Sequence, residues 1–420
     1  MLDTQIAIVG AGAAGLSLAY HLVNGRTGGR TPSMVLVDAP AGPLKPAERT
    51  WCFWEEPGGA FDTALTAAWD TLRVRAPDGS TVAASPAPLS YKMLRSTSFE
   101  SLVGDRLSGE PDVVRLAGVV TGIRELGREL SRGPGPGAEI HLRSPAGRPS
   151  VLRARWVFDS RPPRVLPPGR TTLLQHFRGW FITADRPAFD PRVADLMDFR
   201  TRQPAHGLSF VYALPTSPTQ TLVEYTEFSR QVLDDRGYDD ALRRYLRHEL
   251  ALEHYEITRV EHGVIPMTDA RFPRRSSPSV FRIGTAGGAT RPSTGYTFAA
   301  IQRQARAVAA AYHRGRTPQP PAAHSAWSRA MDAVLLRALH TGRVSGAEFF
   351  SDLFRQVPME RLLRFLDGRT STREDLSIGL RTPVRPMLRT ALELPLLPRN
   401  PTTLARSPGT TGRPADRKED

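Results

Sequence analysis

The chain opens on an unbroken apolar run, Ile6-Ala7-Ile8-Val9, which gives way to Gly10-Ala11-Gly12-Ala13-Ala14-Gly15. A helical stretch follows, and then a second apolar run, Met34-Val35-Leu36-Val37, ending on Asp38. Continuous apolar strands belong in a parallel sheet covered on both faces. The order strand, glycines, helix, strand, acid predicts a βαβ unit. Further on, 71–76, 113–120, 138–143 and 151–158 read as short strands, 39–60 as loop, and Gly133 to Gly137 as a glycine–proline turn. Trp156-Val157-Phe158-Asp159 is an apolar strand that can rejoin the first sheet.

From about residue 170 the pattern changes. Gln175–Phe181 and Phe210–Pro215 read as sheet strands, and Thr221–Phe228 alternates as an antiparallel partner should. Leu222, Glu224, Thr226 and Phe228 share one face of that strand, and Val223, Tyr225 and Glu227 the other. A carboxylate between Leu222 and Phe228 is the anomaly of this hairpin. Residues 230–252 read as a charged helix, and 280–314 as strand, glycine-rich turn and alanine-rich helix. Amphipathic helices follow over 321–368, then an arginine–leucine segment over 381–399 and a Pro/Thr/Arg-rich tail expected to be disordered. The expected fold is α/β: a Rossmann-like FAD-binding domain from 1–168 and 279–318, an inserted antiparallel β-sheet substrate domain over 169–278, a helical C-terminal cap over 319–399 and a tail over 400–420.

Composition narrows the function more than the fold. The net charge of +14 invites a nucleic-acid reading, but the only lysines are Lys45, Lys92 and Lys418, and the arginines are scattered without a recognisable nucleic-acid module. No nucleic-acid partner is expected, while attraction to an anionic membrane surface is compatible with the charge. The single Cys52 excludes an internal disulfide and a cysteine-cluster metal site. His176 has no second histidine at ligand spacing, so no metal is expected. No run of eighteen apolar residues and no signal sequence is present, so the chain is expected in the cytoplasm, peripheral to the membrane.

The glycines state the first chemistry. Gly10 permits the tight strand-to-helix turn, Gly12 lets backbone approach a pyrophosphate, and Gly15 lets helix pack on strand. The phosphate then meets free N–H groups at the helix N-terminus, and Asp38 can bond ribose hydroxyls while leaving no room for a 2′-phosphate. The N-terminal placement favours a resident FAD. Arg95, Asp159 and the turn holding Gly287, Gly288 and Gly295 are further candidate cofactor contacts.

Several blocks together resemble the lycopene cyclase family, in particular its bacterial β-cyclases. They are Gly10–Gly15, Arg49-Thr50-Trp51-Cys52-Phe53-Trp54, Tyr91–Arg95, Leu196-Met197-Asp198-Phe199-Arg200, Phe210–Pro215, Leu222-Val223-Glu224-Tyr225-Thr226-Glu227, Gly263–Pro266, and Gly284 through Pro292-Ser293-Thr294-Gly295-Tyr296. They run in order over about residues 1–300, and the tail past 400 departs from the family. The resemblance implies an isomerising enzyme that closes β-ionone rings on lycopene, via γ-carotene to β-carotene, without net redox change. It implies reduced FAD, with NAD(P)H as the source of electrons. Lycopene is the implied substrate, drawn from a membrane to whose inner face the enzyme docks peripherally.

The resemblance makes Glu224 the key carboxylate, against the plain alternative of an exposed strand acid. The proton donor is then Glu224 or the flavin. Burial beside Leu222 and Phe228 would keep Glu224 protonated near neutrality. Glu227, on the other face, is expected to be solvated or salt-bridged. Asp198 either positions Glu224 and the substrate or is a turn acid paired with Arg200. Trp51, Trp54, Trp180 and Tyr296 are candidate substrate aromatics, able to face a carbocation; Phe53 and Phe177 are further candidates. The Phe-rich helices of 345–366 and the 381–399 segment are candidate docking surfaces, with core packing as the alternative. The rival function is an FAD-dependent monooxygenase or reductase acting on an isoprenoid or other hydrophobic substrate. Those enzymes carry an Asp after the glycine of the late strand, whereas Thr285 follows Gly284 here.

Overall fold

The structure is a computed structural model that describes residues 2–25, 31–42, 44–45, 47–127 and 137–403. Its first layer is an eight-stranded sheet built on the predicted βαβ unit. Leu2–Val9 lies between Met34–Asp38 and Pro149–Asp159, parallel to both, and Val113–Ala117 and Val280–Arg282 extend the parallel set. From Ile6 to Val9 the first strand is apolar because both its faces are buried there. Ile6 and Ile8 pack under the helices Ala13–Asn24 and Phe298–His313, while Ala7 and Val9 pack on the opposite side. Pro149–Asp159 is shared along its length: its early residues pair with Gly137–Arg143, its last with Val280–Arg282.

The second layer is a seven-stranded sheet in the order Tyr255–Thr268, Thr172–Ala184, Gln220–Ser229, Leu208–Pro215, Val193–Asp198, Thr71–Arg75 and Thr81–Ala84. The last two strands come from the stretch assigned by sequence to the N-terminal domain. They join this sheet because Leu72 and Val74 alternate toward the core that holds Leu196 and Phe210. The helix Asp235–His248, capped by the Asp234 side chain, covers the other face with Tyr238, Leu242, Tyr245 and Leu246.

A strand, Thr50–Glu55, occupies part of the expected 39–60 loop. With Ser90–Arg95 and Leu65–Trp69 it forms a three-stranded sheet. Its sequence hides the strand because both faces are apolar: Trp51 and Phe53 meet Phe298, while Trp54 meets Tyr91 and Tyr296. The expected disorder from residue 400 fails over its first residues, since Asn400–Thr403 pairs with Val165–Gly169. Residues 404–420 and the glycine–proline turn at 133–136 lie outside the described residues.

The C-terminal cap consists of five helices, from Ala326–His340 to Val384–Glu393. Phe349, Phe350, Phe354, Leu362 and Leu363 all point inward, into the core beneath the seven-stranded sheet. The Phe-rich helices are therefore core, not docking surface. Apart from Trp327, the exposed large apolar positions of the cap lie later, at Leu376, Leu380, Val384, Leu388, Leu392 and Leu396. Among the described residues, no helix is long and apolar enough to cross a membrane.

This division is measurable by urea denaturation. Phe350→Ala should lower stability by about 3–5 kcal/mol through the cavity it leaves. Leu388→Ala should change it by no more than about 0.5 kcal/mol, because its side chain is already in water.

Candidate active site

The two large sheets leave a cleft of about 450 Å³ between them. At one end stand Gly10, Ala11, Gly12, Ala13 and Asp38. Gly10 has φ of +97°, and a Cβ there would fall 2.2 Å from Ser160 Oγ. A Cβ on Gly15 would overlap the Gly10 carbonyl oxygen, so helix and strand touch at backbone distance. A Cβ on Gly12 would meet nothing within 4 Å: that side opens into the cleft, as backbone approach to a pyrophosphate requires. Asp38 pairs with Lys45 at 3.3 Å.

Along the middle of the cleft run Trp51, Gln175, Thr294, Gly295, Tyr296 and Thr297, the last at the start of the helix Phe298–His313. Gly295, at φ +73°, is held against Gln175: a Cβ would lie 1.9 Å from Gln175 Oε1. Gln175 Oε1 and Thr294 Oγ1 are buried without a hydrogen-bond partner. Orphaned polar atoms are unusual in a folded chain and mark where a ligand's polar groups fit. Together with the open side of Gly12, these atoms match a dinucleotide cofactor lying along the cleft. The loop carrying them is anchored from behind: Arg291 Nε donates to Asp332 at 3.0 Å and Ser293 Oγ at 2.6 Å, with Arg291 and Asp332 each 2% exposed.

The far end is carboxylate and tyrosine. Glu224 stands opposite Tyr212 on one neighbouring strand and Gly179 on the other, and Gly179 stands in turn opposite Glu261. With no side chain at Gly179, the two glutamates face each other across it. A Cβ there would come within 3.1 Å of Glu261 Cγ and 3.5 Å of Glu224 Cβ. Thr226 Oγ1 donates to Glu224 at 3.2 Å, and Thr50 Oγ1 to Glu261 at 2.8 Å. Burial raises both carboxyls above the usual carboxylate range, and the nearby Glu261 charge raises Glu224 further. Cys52, Tyr91, Tyr212 and Tyr296 complete this end, and burial pushes each of them up as well, so they stay neutral. The Tyr212 and Tyr296 hydroxyls are 3.4 Å apart.

The structure gathers Gly10, Gly12, Asp38, Gly295, Trp51, Tyr296 and Glu224 around one cleft. Other expected residues lie elsewhere. Asp198 is fully buried on the helix-covered face, bound twice by Arg200 and by the Tyr245 hydroxyl at 2.7 Å. It is a paired acid on the face of the sheet opposite to Glu224. Trp180 packs on that same face, under Arg243. Trp54 sits behind Tyr296, edge to face at 4.5 Å between ring centroids. Arg95 pairs with Glu48, and Asp159 with Arg161; of these, Arg161 lines the cleft. Gly287 and Gly288 line a smaller hollow beyond the turn, with Phe272 and Arg274. Glu227, expected to be solvated or salt-bridged, is buried, hydrogen-bonded by Tyr225 and raised by burial. His176 bonds Tyr238 and Ser229, and burial lowers it to about 4, so it is neutral at pH 7. No group of three or more His, Cys, Asp or Glu is placed to hold a metal among the described residues.

Glu261, like Gln175, Tyr91 and Tyr212, is a site residue that sequence patterning missed. It lies in Val260-Glu261-His262-Gly263, where no alternation sets it apart. A lone glycine inside the strand Thr172–Ala184 was the available signal, because such a glycine marks a close approach.

The fold is that of the FAD-dependent oxidoreductases and monooxygenases. It is shared with a geranylgeranyl bacteriochlorophyll reductase-like protein from Thermoplasma acidophilum, at TM-score 0.56 and 11% identity over 94% of this chain and 100% of that one. A flavoprotein/dehydrogenase from Cytophaga hutchinsonii aligns at TM-score 0.60 and 12% identity, covering 93% and 99%. Aklavinone-11 hydroxylase, solved with FAD and aklavinone, aligns at 0.55 and 17%, covering 91% and 70%. At such identities the likeness concerns fold alone. The sequence carries the finer assignment: the family described as "Lycopene cyclase protein" matches residues 5–392, and this chain belongs to it. A lycopene beta-cyclase of Paracoccus sp. (strain N81106 / MBIC 01143) is 29% identical over 276 residues, 59% of this chain and 67% of the relative. The chain is thus an enzyme of carotenoid cyclisation.

The buried Arg291–Asp332 pair offers a direct test of how the cleft loop is held. Asp332→Ala strands a buried guanidinium and should lower stability by about 3–5 kcal/mol, read from the shift in Tm.

Proposed function

We propose that this chain is a lycopene β-cyclase that closes β-ionone rings at both ends of lycopene, with Glu224 as the group that holds the transferable proton. The observation that carries the reading is a buried carboxyl, raised by its burial above the usual carboxylate range, at one end of a cleft whose other end has the form of a dinucleotide cradle. The Glu224 proton goes to the terminal C=C, whose π pair forms the new C–H bond and leaves a tertiary cation. A neighbouring double bond attacks that cation and closes the six-membered ring. A ring C–H then gives its proton to the Glu224 carboxylate, and its electron pair becomes the ring C=C, so the step is redox-neutral. The tyrosines stay neutral at this end, and their rings would stabilise positive charge. The walls from Leu214, Leu222 and Ile265 exclude the water that would trap the cation.

Gly10, Gly12 and Asp38 would hold the adenosine and pyrophosphate parts of FAD, and Gln175, Thr294 and Gly295 the rest. Reduced flavin, with electrons from NAD(P)H, would supply an electron-rich surface that stabilises the cation.

We place the lycopene source at a membrane surface, met by the helix Val384–Glu393. Leu388 is 58% and Leu392 70% exposed, with Arg385 and Arg389 exposed beside them. Leucines can enter the headgroup layer while arginines meet anionic lipid. The Phe-rich helices have no part in this, since their rings are in the core.

Expression in lycopene-accumulating bacteria tests the reaction. The wild-type chain should yield β-carotene, and Glu224→Gln should slow conversion by about 10²-fold or more, as loss of a positioned acid does. Unchanged lycopene from a folded, flavin-loaded wild-type protein would overturn the reading. Vesicle flotation tests the membrane face. Wild type should float with vesicles containing anionic lipid, and Leu388→Ser with Leu392→Ser should weaken this without altering the circular dichroism spectrum.

A further inference from the structure

The mechanism above uses one glutamate, yet the cleft end holds two. Glu261 is 7% exposed, as buried as many core residues, and it is no ordinary structural acid, because the group it faces is another carboxyl. Two carboxylates cannot both ionise at close range in a poorly solvated site; they hold one proton between them and titrate as a pair. The backbone is arranged for this contact. Gly179 sits between them in register, and any side chain there would push against Leu222 at 2.9 Å and Glu261 at 3.1 Å.

We infer that Glu261 is a positioning residue for the ring closure: it shares one proton with Glu224 across Gly179 and keeps that proton on the Glu224 side, facing the cleft. This rests on the cyclase reading and deepens it. The two carboxyls differ in their surroundings, and the difference sets the side. Arg259 and Arg49 act on Glu261, and Thr50 donates to it at 2.8 Å, so Glu261 is the member that carries the charge. Glu48 lies behind Arg259 and offsets part of its effect. Around Glu224 the titratable groups are Cys52, Tyr212 and Tyr296, all neutral. The anion of Glu261 therefore accepts a hydrogen bond from the Glu224 acid. When the proton leaves for the substrate, the carbocation formed in the same step offsets the second negative charge, and Thr226 and Thr50 each still donate to their carboxylate. When the ring C–H returns a proton to Glu224, the pair is restored.

The sign of the effect follows. An anion beside Glu224 opposes its ionisation, so removing that charge with Glu261→Gln makes Glu224 lose its proton at lower pH. The alkaline limb of kcat for lycopene conversion in detergent-solubilised holoenzyme should then move down by about one pH unit or more, with KM changed less than kcat. Glu261→Asp keeps the charge and should restore the limb toward wild type; a merely structural role for Glu261 would leave the limb in place in all variants. A second readout needs no turnover. The carboxylic-acid C=O infrared band that disappears in Glu224→Gln should persist to higher pH in wild type than in Glu261→Gln. If band and limb both titrate identically in wild type and Glu261→Gln, the shared proton is overturned while the cyclase reading stands. If the band shifts as described but wild type converts no lycopene, the pair stands and the cyclase reading falls.

Discussion

Thr50–Glu55 has no polar face, and the arrangement of the cleft depends on that. One face of this strand closes the core of the nucleotide-type layer through Trp51, Phe53, Phe99 and Phe298; the other closes the core under the seven-stranded sheet through Cys52 and Trp54. The two large sheets are therefore held by a short segment that neither could release without exposing aromatic surface to water. The cleft is the space left beside this seam. Trp51 and Cys52 line it from the same strand, one toward the glycine turn, the other toward the glutamates. A binding site at the junction of two cores is where concave sites commonly arise.

Sequence patterning reached the first half of the site far better than the second. Gly10, Gly12 and Gly15 have backbone reasons for their identity, and Asp38 ends the strand that follows them; such reasons are local, so they survive in the sequence. The face on which Glu224 sits was also legible, because period-two alternation is local too. Asp198 and Trp180 were not separable from site residues on sequence, since which face of a sheet meets a helix and which meets a cleft is decided by distant packing. Only the placement of Asp235–His248 against Val223 and Tyr225 turns that face into core. Glu261 was invisible for the same reason: it is brought to Glu224 only through register with a strand about eighty positions earlier in the chain. The Phe-rich helices and the exposed leucines that follow them share one composition, and only their orientation tells core from surface.

The cleft loop is held from behind by a buried charge pair with no cleft exposure. Breaking such a pair is costly even where replacing it whole is not, so Arg291 and Asp332 fix the loop's position more than they add to stability. Position matters here, because the orphaned Thr294 oxygen and the start of the helix Phe298–His313 travel with that loop.

The short ladder between Val165–Gly169 and Asn400–Thr403 has one more consequence. It joins the chain just before the long strand Thr172–Ala184 to the chain just after the cap, and so closes a circuit that contains four strands of the seven-stranded sheet beyond that one and every helix of the cap. The entropy of closing so long a loop rises only slowly with its length. A cap tied in this way cannot lift off from its free end like a lid on a single hinge. Movement of the helix Val384–Glu393 must instead be passed, through the closed circuit, to the strands that carry both glutamates.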